Sequence, residues 1–598
     1  MTTSFIHPAL IMIIGALVLP FIRGPFRKPY LFIIPLLTFL DVIWLSGHHG
    51  TYGVFQFLAG DWTVTFGRVD SLAAIFAFIM SLMAIIGTIY GLHVKDEWQH
   101  MAAWFYVAGS LGVIYAGDYL VLFLFWEMMA FASTFLIWFN KDDGSLAAGL
   151  RYLLVHTFGG VVLLLGFVLR YQATGDLSFS QLDVGAPQLY TYLIMIGLML
   201  NAAVVPLHSW LPDAYSKATI TGSVFMCAFT TKTAIYTLAR SCAGFDILII
   251  LGVVMAIYGI IYAAMENDVR RLLGWEIISQ VGYMVTGVGI GSALAINGTC
   301  GHAFAHILYK GLLFMGAGAI IHVTGKSKFT ELGGLYKKMP GTLFFIIIGG
   351  LSVSGFPFLS GFVTKSMIIA ASFEEHILWA GFLLTLVSAG TFMVAGLRLP
   401  YLLFFGEERG SEETYTKKSY TPPWNMQMAM IIGAIFCFVI GSYTPFLYSM
   451  LPFADVHFQP YNSYHFSETL QILGFTGLGF FFLKNFIGAR PTISLDLDWF
   501  YRKGGQGFLW LARNPIQWFD TAWGKAYRVV GLNCLMITSK FWSWFDWHGI
   551  DGVVDGMARC VRAIGRRVAL VLQRGQIQQT IYYTATFAAI LLFATIWF

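Results

Sequence analysis

His302, His306 and Lys310 stand at four-residue intervals inside one apolar run, so on a helix they form a single stripe with neighbours about 6 Å apart along the axis. Imidazole titrates near neutral pH and passes a proton between its two nitrogens. Two histidines ending on a lysine therefore read as a water-bridged proton relay. Ordinary packing is the bland alternative for each histidine, and metal binding a weaker one, since no acid or cysteine shares the stripe. Glu127 is the only acid inside the run from Tyr119 to Phe139; it is either a proton carrier or the buried partner of a lysine. Lys365 follows Gly355-Phe-Pro-Phe-Leu-Ser-Gly-Phe362, and Lys232 comes ten residues after Gly222. Gly and Pro unwind a helix, and unwound backbone at membrane depth presents unpaired peptide groups to the lysine beside it. Each lysine is either a group that sheds and regains a proton or half of a static ion pair. Arg398 lies near a helix end, where it snorkels or anchors, because guanidinium does not shed protons usefully. Glu276 opens its apolar run, which fits a helix-start acid as well as a proton entry.

The elements that hold these groups must cross a membrane. Of the 598 residues 57% are hydrophobic and 11% charged, with mean hydropathy +0.71; a soluble enzyme of this size needs far more charge. Long unbroken runs such as 161–169 and 343–350 exclude an alternating β-barrel. The fold expected is an all-α polytopic membrane protein with about sixteen spans of some 20 residues each, including runs at 190–211, 219–243, 275–290, 295–322 and 340–371. The first run, near 7–23, lacks a basic leader and a cleavage site and reads as a retained span. Net charge is +5, but the cations first answer to topology. If the loop holding Arg23, Arg27 and Lys28 is cytoplasmic, only Arg68, Arg170 and Arg240 fall outside, and both termini lie outside too.

No nucleic-acid motif occurs. The six cysteines form no zinc or iron–sulfur spacing, and neither a nucleotide-binding glycine loop nor a haem pattern is present. No cofactor and no metal are expected. Residues 489–576 are different in kind: polar, then rich in Trp and Arg. Val553, Val554, Met557, Val561, Ile564 and Val568 recur at three- and four-residue steps, while Arg559, Arg562, Arg566 and Arg567 take the other face. This is an interfacial amphipathic helix. Residues 506–575 would reach about 105 Å at ~1.5 Å per residue, far enough to bridge neighbouring subunits, with Pro515, Gly524, Gly531 and Gly549 expected to break it.

From about residue 69 to 406 the chain resembles the antiporter-like subunits shared by Mrp-type cation/proton antiporters, respiratory complex I and membrane-bound hydrogenases. The motifs that carry the resemblance are Trp126-Glu127; Pro206-Leu-His-Ser-Trp-Leu-Pro-Asp-Ala214; Asp268-Val-Arg-Arg-Leu-Leu with Ile278-Ser-Gln-Val-Gly-Tyr283; His302 to Lys310; and Gly355 to Lys365. The resemblance implies N-terminal helices in 1–100, two inverted five-helix repeats in 101–243 (spans 4–8) and 244–406 (spans 9–13) with helices 8 and 12 broken, two further spans in 425–488, the lateral segment 489–576 and a C-terminal anchor in 577–598. It assigns proton translocation to Glu127, Lys232, His302, His306, Lys310 and Lys365. One position departs: five residues before Pro206, where the family carries a lysine, stands Asn201, which neither binds nor releases a proton. Lys232 or His156 would then replace it as partner of Glu127, or the first half is inactive.

The function expected is a proton-translocating subunit of a multi-subunit complex in a bacterial or archaeal cytoplasmic membrane. Mrp-type cation/proton antiport is favoured over a redox-driven pump, an inorganic-carbon uptake complex and a degenerate scaffold. Its partners are other membrane subunits bridged by 506–575, lipid and protons; sodium has no evident carboxylate site in this chain.

Overall fold

The computed structural model describes residues 5–57, 62–409, 420–484, 488–491, 495–572 and 576–597. Two compact units emerge, residues 1–497 and 498–598. Ten helices among the described residues are long and apolar enough to cross a membrane, and three shorter apolar helices accompany them.

The first unit begins with α1 (Pro8–Val18) and α2 (Arg27–Ser46), followed by two antiparallel strands, β1 (Gly50–Phe57) and β2 (Trp62–Val69), paired with Gly50 opposite Val69. The all-α expectation is corrected here. Thr51, Tyr52, Val54, Phe55 and Thr63 to Phe66 are β-branched or aromatic residues too few to span a bilayer, and they pair instead. Asp118 ties this hairpin to the bundle: one carboxylate oxygen accepts from Thr65 N at 2.5 Å, the other from Leu120 N and Val121 N.

Then follow α3 (Ser71–Gly91), α4 (Glu97–Tyr115), α5 (Tyr119–Trp138) and α6 (Asp143–Thr174). After them come α7 (Leu189–Asn201), α8 (Trp210–Lys217), α9 (Ile220–Met226), α10 (Thr230–Ser241), α11 (Asp246–Met265) and α12 (Val269–Ile290). The unit continues with α13 (Ala293–Thr324), α14 (Pro340–Ser354), α15 (Ser360–Glu374), α16 (Leu378–Thr391), α17 (Trp424–Ser442) and α18 (Ser463–Leu483). Five loop acids have local work at helix starts. Asp70, Asp96, Asp118, Asp142 and Asp268 each cap a helix by accepting its first free N–H groups, where the dipole favours an anion. Glu127 and Glu276 sit mid-helix and need another reason.

The expected span at 190–211 is not one helix. α7 ends at Asn201, and 202–209 run as turns through the Pro206 motif before α8. The two other interruptions fall at 227–229, between α9 and α10, and at 355–359, between α14 and α15. Gly355 ends α14 with φ 77°, a left-handed geometry that favours glycine.

α13 occupies the middle of the unit, with 94% of its most apolar stretch buried, and α3, α9, α12, α14, α15 and α17 pack around it. Gly298, Gly311, Gly316 and Gly318 let those neighbours approach; a Cβ at Gly318 would lie 2.5 Å from the Tyr90 hydroxyl. α6 and α13 are both 32 residues long and end at left-handed glycines, Gly175 and Gly325. Asp118 pairs across an isolated bridge with Ser178, and Asp268, 150 positions later, pairs in the same way with Lys328.

The second unit is helical without a break from Asp498 to Leu572: α19 (Asp498–Leu511), α20 (Gln517–Ala526), α21 (Asn533–Phe545) and α22 (Asp551–Leu572), joined by wider π turns at Ala512–Ile516, Tyr527–Leu532 and Asp546–Ile550. The expected breakers do not break it. Pro515, Gly531 and Gly549 lie within the π turns, whose extra residue relieves the lost hydrogen bond and the ring clash, and Gly524 is carried inside α20. The run reaches roughly 110 Å at ~1.5 Å per residue. Residues 573–575 of the expected lateral stretch lie outside the described residues, and α23 (Ile577–Trp597) follows.

Candidate functional site: a buried polar row along α12 and α13

His302, His306 and Lys310 share one side of α13, with the two imidazole centroids 6.3 Å apart. Tyr309 sits against both, 6.2 Å from His302 and 5.2 Å from His306. Neither ring nitrogen of His306 has a protein partner, although the side chain is fully buried. A buried polar group without a partner is expensive unless water serves it.

Lys310 Nζ donates to Glu276 Oε2 at 2.6 Å, and neither side chain is exposed at all. The helix-start alternative for Glu276 is thereby removed. α12 begins two turns earlier, capped by Asp268, so Glu276 is a mid-helix acid facing a lysine. Its other oxygen, Oε1, has no protein partner. Gln280 and Tyr283 follow at four and seven residues, on the same face of α12. Gln280 Nε2 donates to Thr391 Oγ1 at 3.2 Å, while Gln280 Oε1 is unpartnered. Tyr283 donates to Leu384 O at 2.6 Å and presents its ring to Lys365, whose Nζ lies 5.0 Å from the ring centroid.

Lys365 Nζ donates to Val353 O at 2.9 Å. That carbonyl belongs to the last turn of α14, which the interruption at 355–359 leaves without a helical successor. Lys232 repeats the device: its Nζ donates to Cys227 O at 2.7 Å, just past α9, and to Thr231 Oγ1 at 3.0 Å. Both interruptions thus hold an ammonium on a freed carbonyl, the negative end of a short helix. His302 Nδ1 and Thr364 Oγ1, 3.4 Å apart, connect the histidine stripe to the helix bearing Lys365.

The first half is arranged differently. Glu127 packs over Gly160 of α6 so closely that a Cβ there would overlap Glu127 Oε1, an oxygen with no hydrogen-bond partner. Neither residue expected to replace the lysine at 201 takes that place. His156 Nδ1 pairs with Asn201 Oδ1 at 2.8 Å, and Lys232 is held on its own interruption. His156 is also enclosed by the rings of Tyr152 and Trp210, at 4.1 and 4.5 Å. Asn201 therefore supplies a neutral hydrogen bond to a buried histidine.

Arg398 is 3% exposed and donates to Ala263 O and Glu266 O at the end of α11. Gln280, Tyr283 and Tyr309 are absent from the expected site, although their spacing from Glu276 and His306 places them on the same faces. Asp41, a half-buried acid within α2 with an unpartnered Oδ2, is absent from it as well; its charge at membrane depth is the signal that could have found it.

His208, in the turn after α7, is buried between Tyr258 and Trp275, and its Nε2 lies 3.3 Å from Asp496 Oδ1. Tyr258 donates to the same oxygen at 2.7 Å, and Tyr262 donates to Leu495 O. Burial alone would raise the Asp496 carboxyl; contact with His208 and Tyr258 and the Leu497 N–H outweigh it and hold the group below its usual range.

Residues 116–393 match the family described as NADH:quinone oxidoreductase/Mrp antiporter, TM. One Na(+)/H(+) antiporter subunit of Alkalihalophilus pseudofirmus is 29% identical over 381 residues, covering 59% of this chain and 77% of its own length. Hydrogenase-4 component B of Escherichia coli is 27% identical over 419 residues, 62% of each chain. Among solved structures, a chain of the membrane-bound sulfane sulfur reductase, an archaeal respiratory membrane complex, has the same fold, with a TM-score of 0.65 and 24% identity over 79% of this chain and 98% of that one.

Proposed function

Because this chain is an antiporter-like membrane subunit of the family that joins NADH:quinone oxidoreductases and Mrp antiporters, we propose that it conducts protons within a multi-subunit membrane complex. The observation that carries the reading is the Lys310–Glu276 pair, both groups wholly buried, with an unpartnered His306 one turn before Lys310 on α13 and an unpartnered Gln280 oxygen one turn after Glu276 on α12. Water bridging those atoms would complete a line of hydrogen bonds in which each titratable group is a stop. Lys232, His306, His302, Lys310 with Glu276, and Lys365 are the stops, with Glu127 on the entry side. Protonation of one member weakens the hold on its neighbour's charge, so a proton arriving at Glu276 frees Lys310 to pass its own forward.

The energy comes from elsewhere in the complex. The favoured form is Mrp-type cation/proton antiport, in keeping with the named function of the Alkalihalophilus relative; the hydrogenase relative favours a redox-driven pump as the second reading. The matching lengths of α6 and α13 and the paired bridges at Asp118 and Asp268 support two repeats of one five-helix plan in a bundle of about sixteen spans. The cation distribution supports outside termini, and the long run 498–572 supports a role as a strap along neighbouring subunits.

Proton uptake by everted vesicles carrying Lys365→Ala tests the reading. Uptake at least about tenfold slower with unchanged assembly is expected; wild-type uptake would leave a scaffold role in its place.

A further inference from the structure

Building on the proton-conducting reading, we propose that Glu468, with His465 beside it, is the site at which protons leaving Lys365 are released. Lys365 lines a small half-enclosed cavity of about 60 Å³, to whose wall α18 contributes His465, Glu468 and Thr469. Ser354, Thr385 and Ser388 supply hydroxyls between them, and Ser388 Oγ lies 3.0 Å from the Tyr283 hydroxyl whose ring faces the ammonium. Among the lining residues, Lys365, His465 and Glu468 are the titratable ones.

α18 turns most of its surface away from the bundle: only Leu473 and Phe480 are buried. His465, Glu468, Thr469, Ile472 and Leu473 recur at helical spacing and form the face that meets the cavity. The acid and the histidine of that helix are thus both on the face that meets the cavity. Asn462 already caps α18 by accepting from His465 N, and the first turn holds no acid. Glu468 lies past that turn, so a capping or dipole role does not account for it. An acid kept there at a cost normally has a transport use. It is about 8 Å along the axis from the helix start at ~1.5 Å per residue. His465 Nδ1 stands 3.8 Å from Glu468 Oε2.

The step balances without any further reactant than water. An N–H bond of the Lys365 ammonium breaks, leaving a neutral amine; water in the cavity carries the proton; an O–H bond forms on the Glu468 carboxylate. Loss of that proton to the aqueous phase restores the carboxylate, and the amine is recharged from the buried row.

The test uses the intact complex reconstituted in liposomes with a pH dye inside. Glu468→Gln should slow proton flux by at least about tenfold, with Glu468→Asp restoring most of it and His465→Gln slowing it less than Glu468→Gln does. Wild-type flux in Glu468→Gln while Lys365→Ala abolishes flux overturns the release site alone. Wild-type flux in Lys365→Ala overturns the conducting reading itself. Should Glu468→Gln fail to assemble, Thr385→Leu, which fills the cavity from α16, must slow flux; wild-type flux in that variant also overturns the proposal.

Discussion

Lys310 and Glu276 meet at 2.6 Å across α13 and α12 with no exposure of either side chain. Two charges brought out of water survive only because each has the other, and removing one partner leaves an uncompensated charge. Glu276→Gln should lower the stability of the complex by about 3 kcal/mol and slow proton flux at least tenfold. Glu276→Gln combined with Lys310→Met should recover most of the stability and none of the flux. Thermal unfolding and vesicle proton uptake, measured on the same preparations, separate the two effects.

Gly160→Ala tests Glu127 without altering a titratable group. The new methyl would overlap Glu127 Oε1, so the carboxylate must swing away or α5 must shift. If the first half conducts, flux should fall several-fold with assembly intact. Flux at the wild-type level in both Gly160→Ala and Glu127→Gln would confine conduction to the second half.

His156 and Asn201 form a neutral buried pair at 2.8 Å. Asn201→Leu strips the histidine of that partner and should cost about 1–3 kcal/mol, read as a lower melting temperature of the purified complex. Proton flux should change little, since their hydrogen bond joins the two residues to each other and not to Glu127 or to the row on α13.

Asp70 carries an acid-sensitive contribution. It caps α3 and accepts two hydrogen bonds from Arg240, at 2.6 and 2.8 Å. Burial pushes its carboxyl up, but the Arg240 hydrogen bonds and charge prevail and hold it below the ordinary value of 3.8. A depressed carboxyl stabilises the fold above the ordinary value, and the contribution disappears as pH falls through the lowered one. Asp70→Asn should therefore destabilise the wild-type protein at pH 6 to 7 and close the gap below about pH 4, as followed by tryptophan fluorescence during thermal melts at stepped pH.

A chain ending at residue 497 separates the strap from the bundle. The first unit keeps its own core, including the contacts of Asp496 with His208 and Tyr258, so its melting temperature should be unchanged. Copurifying subunits should be lost or depleted on mild-detergent purification. Full retention would show that other surfaces hold the complex.

Much of the membrane architecture follows from the chain's own patterning. Runs of apolar residues force helices where no water can serve the backbone. The four-residue spacing of His302, His306 and Lys310 places them on one stripe before any neighbour is known. Gly355 and Pro357 mark an interruption for the same local reason, as does the amphipathic alternation of 553–568 for a surface helix. The hairpin after α2 escapes such patterning because its short strands carry no span-length signal. The turns at 202–209 escape it because the apolar run continues through them. Only tertiary packing decided pairing. That Lys310 meets Glu276, that Asn201 takes His156 and leaves Glu127 to Gly160, and that Lys365 shares a cavity with Glu468 all depend on which helices lie side by side. Periodicity sets the face on which a side chain sits; the partner across that face comes from residues tens to more than a hundred positions away, brought close only by folding.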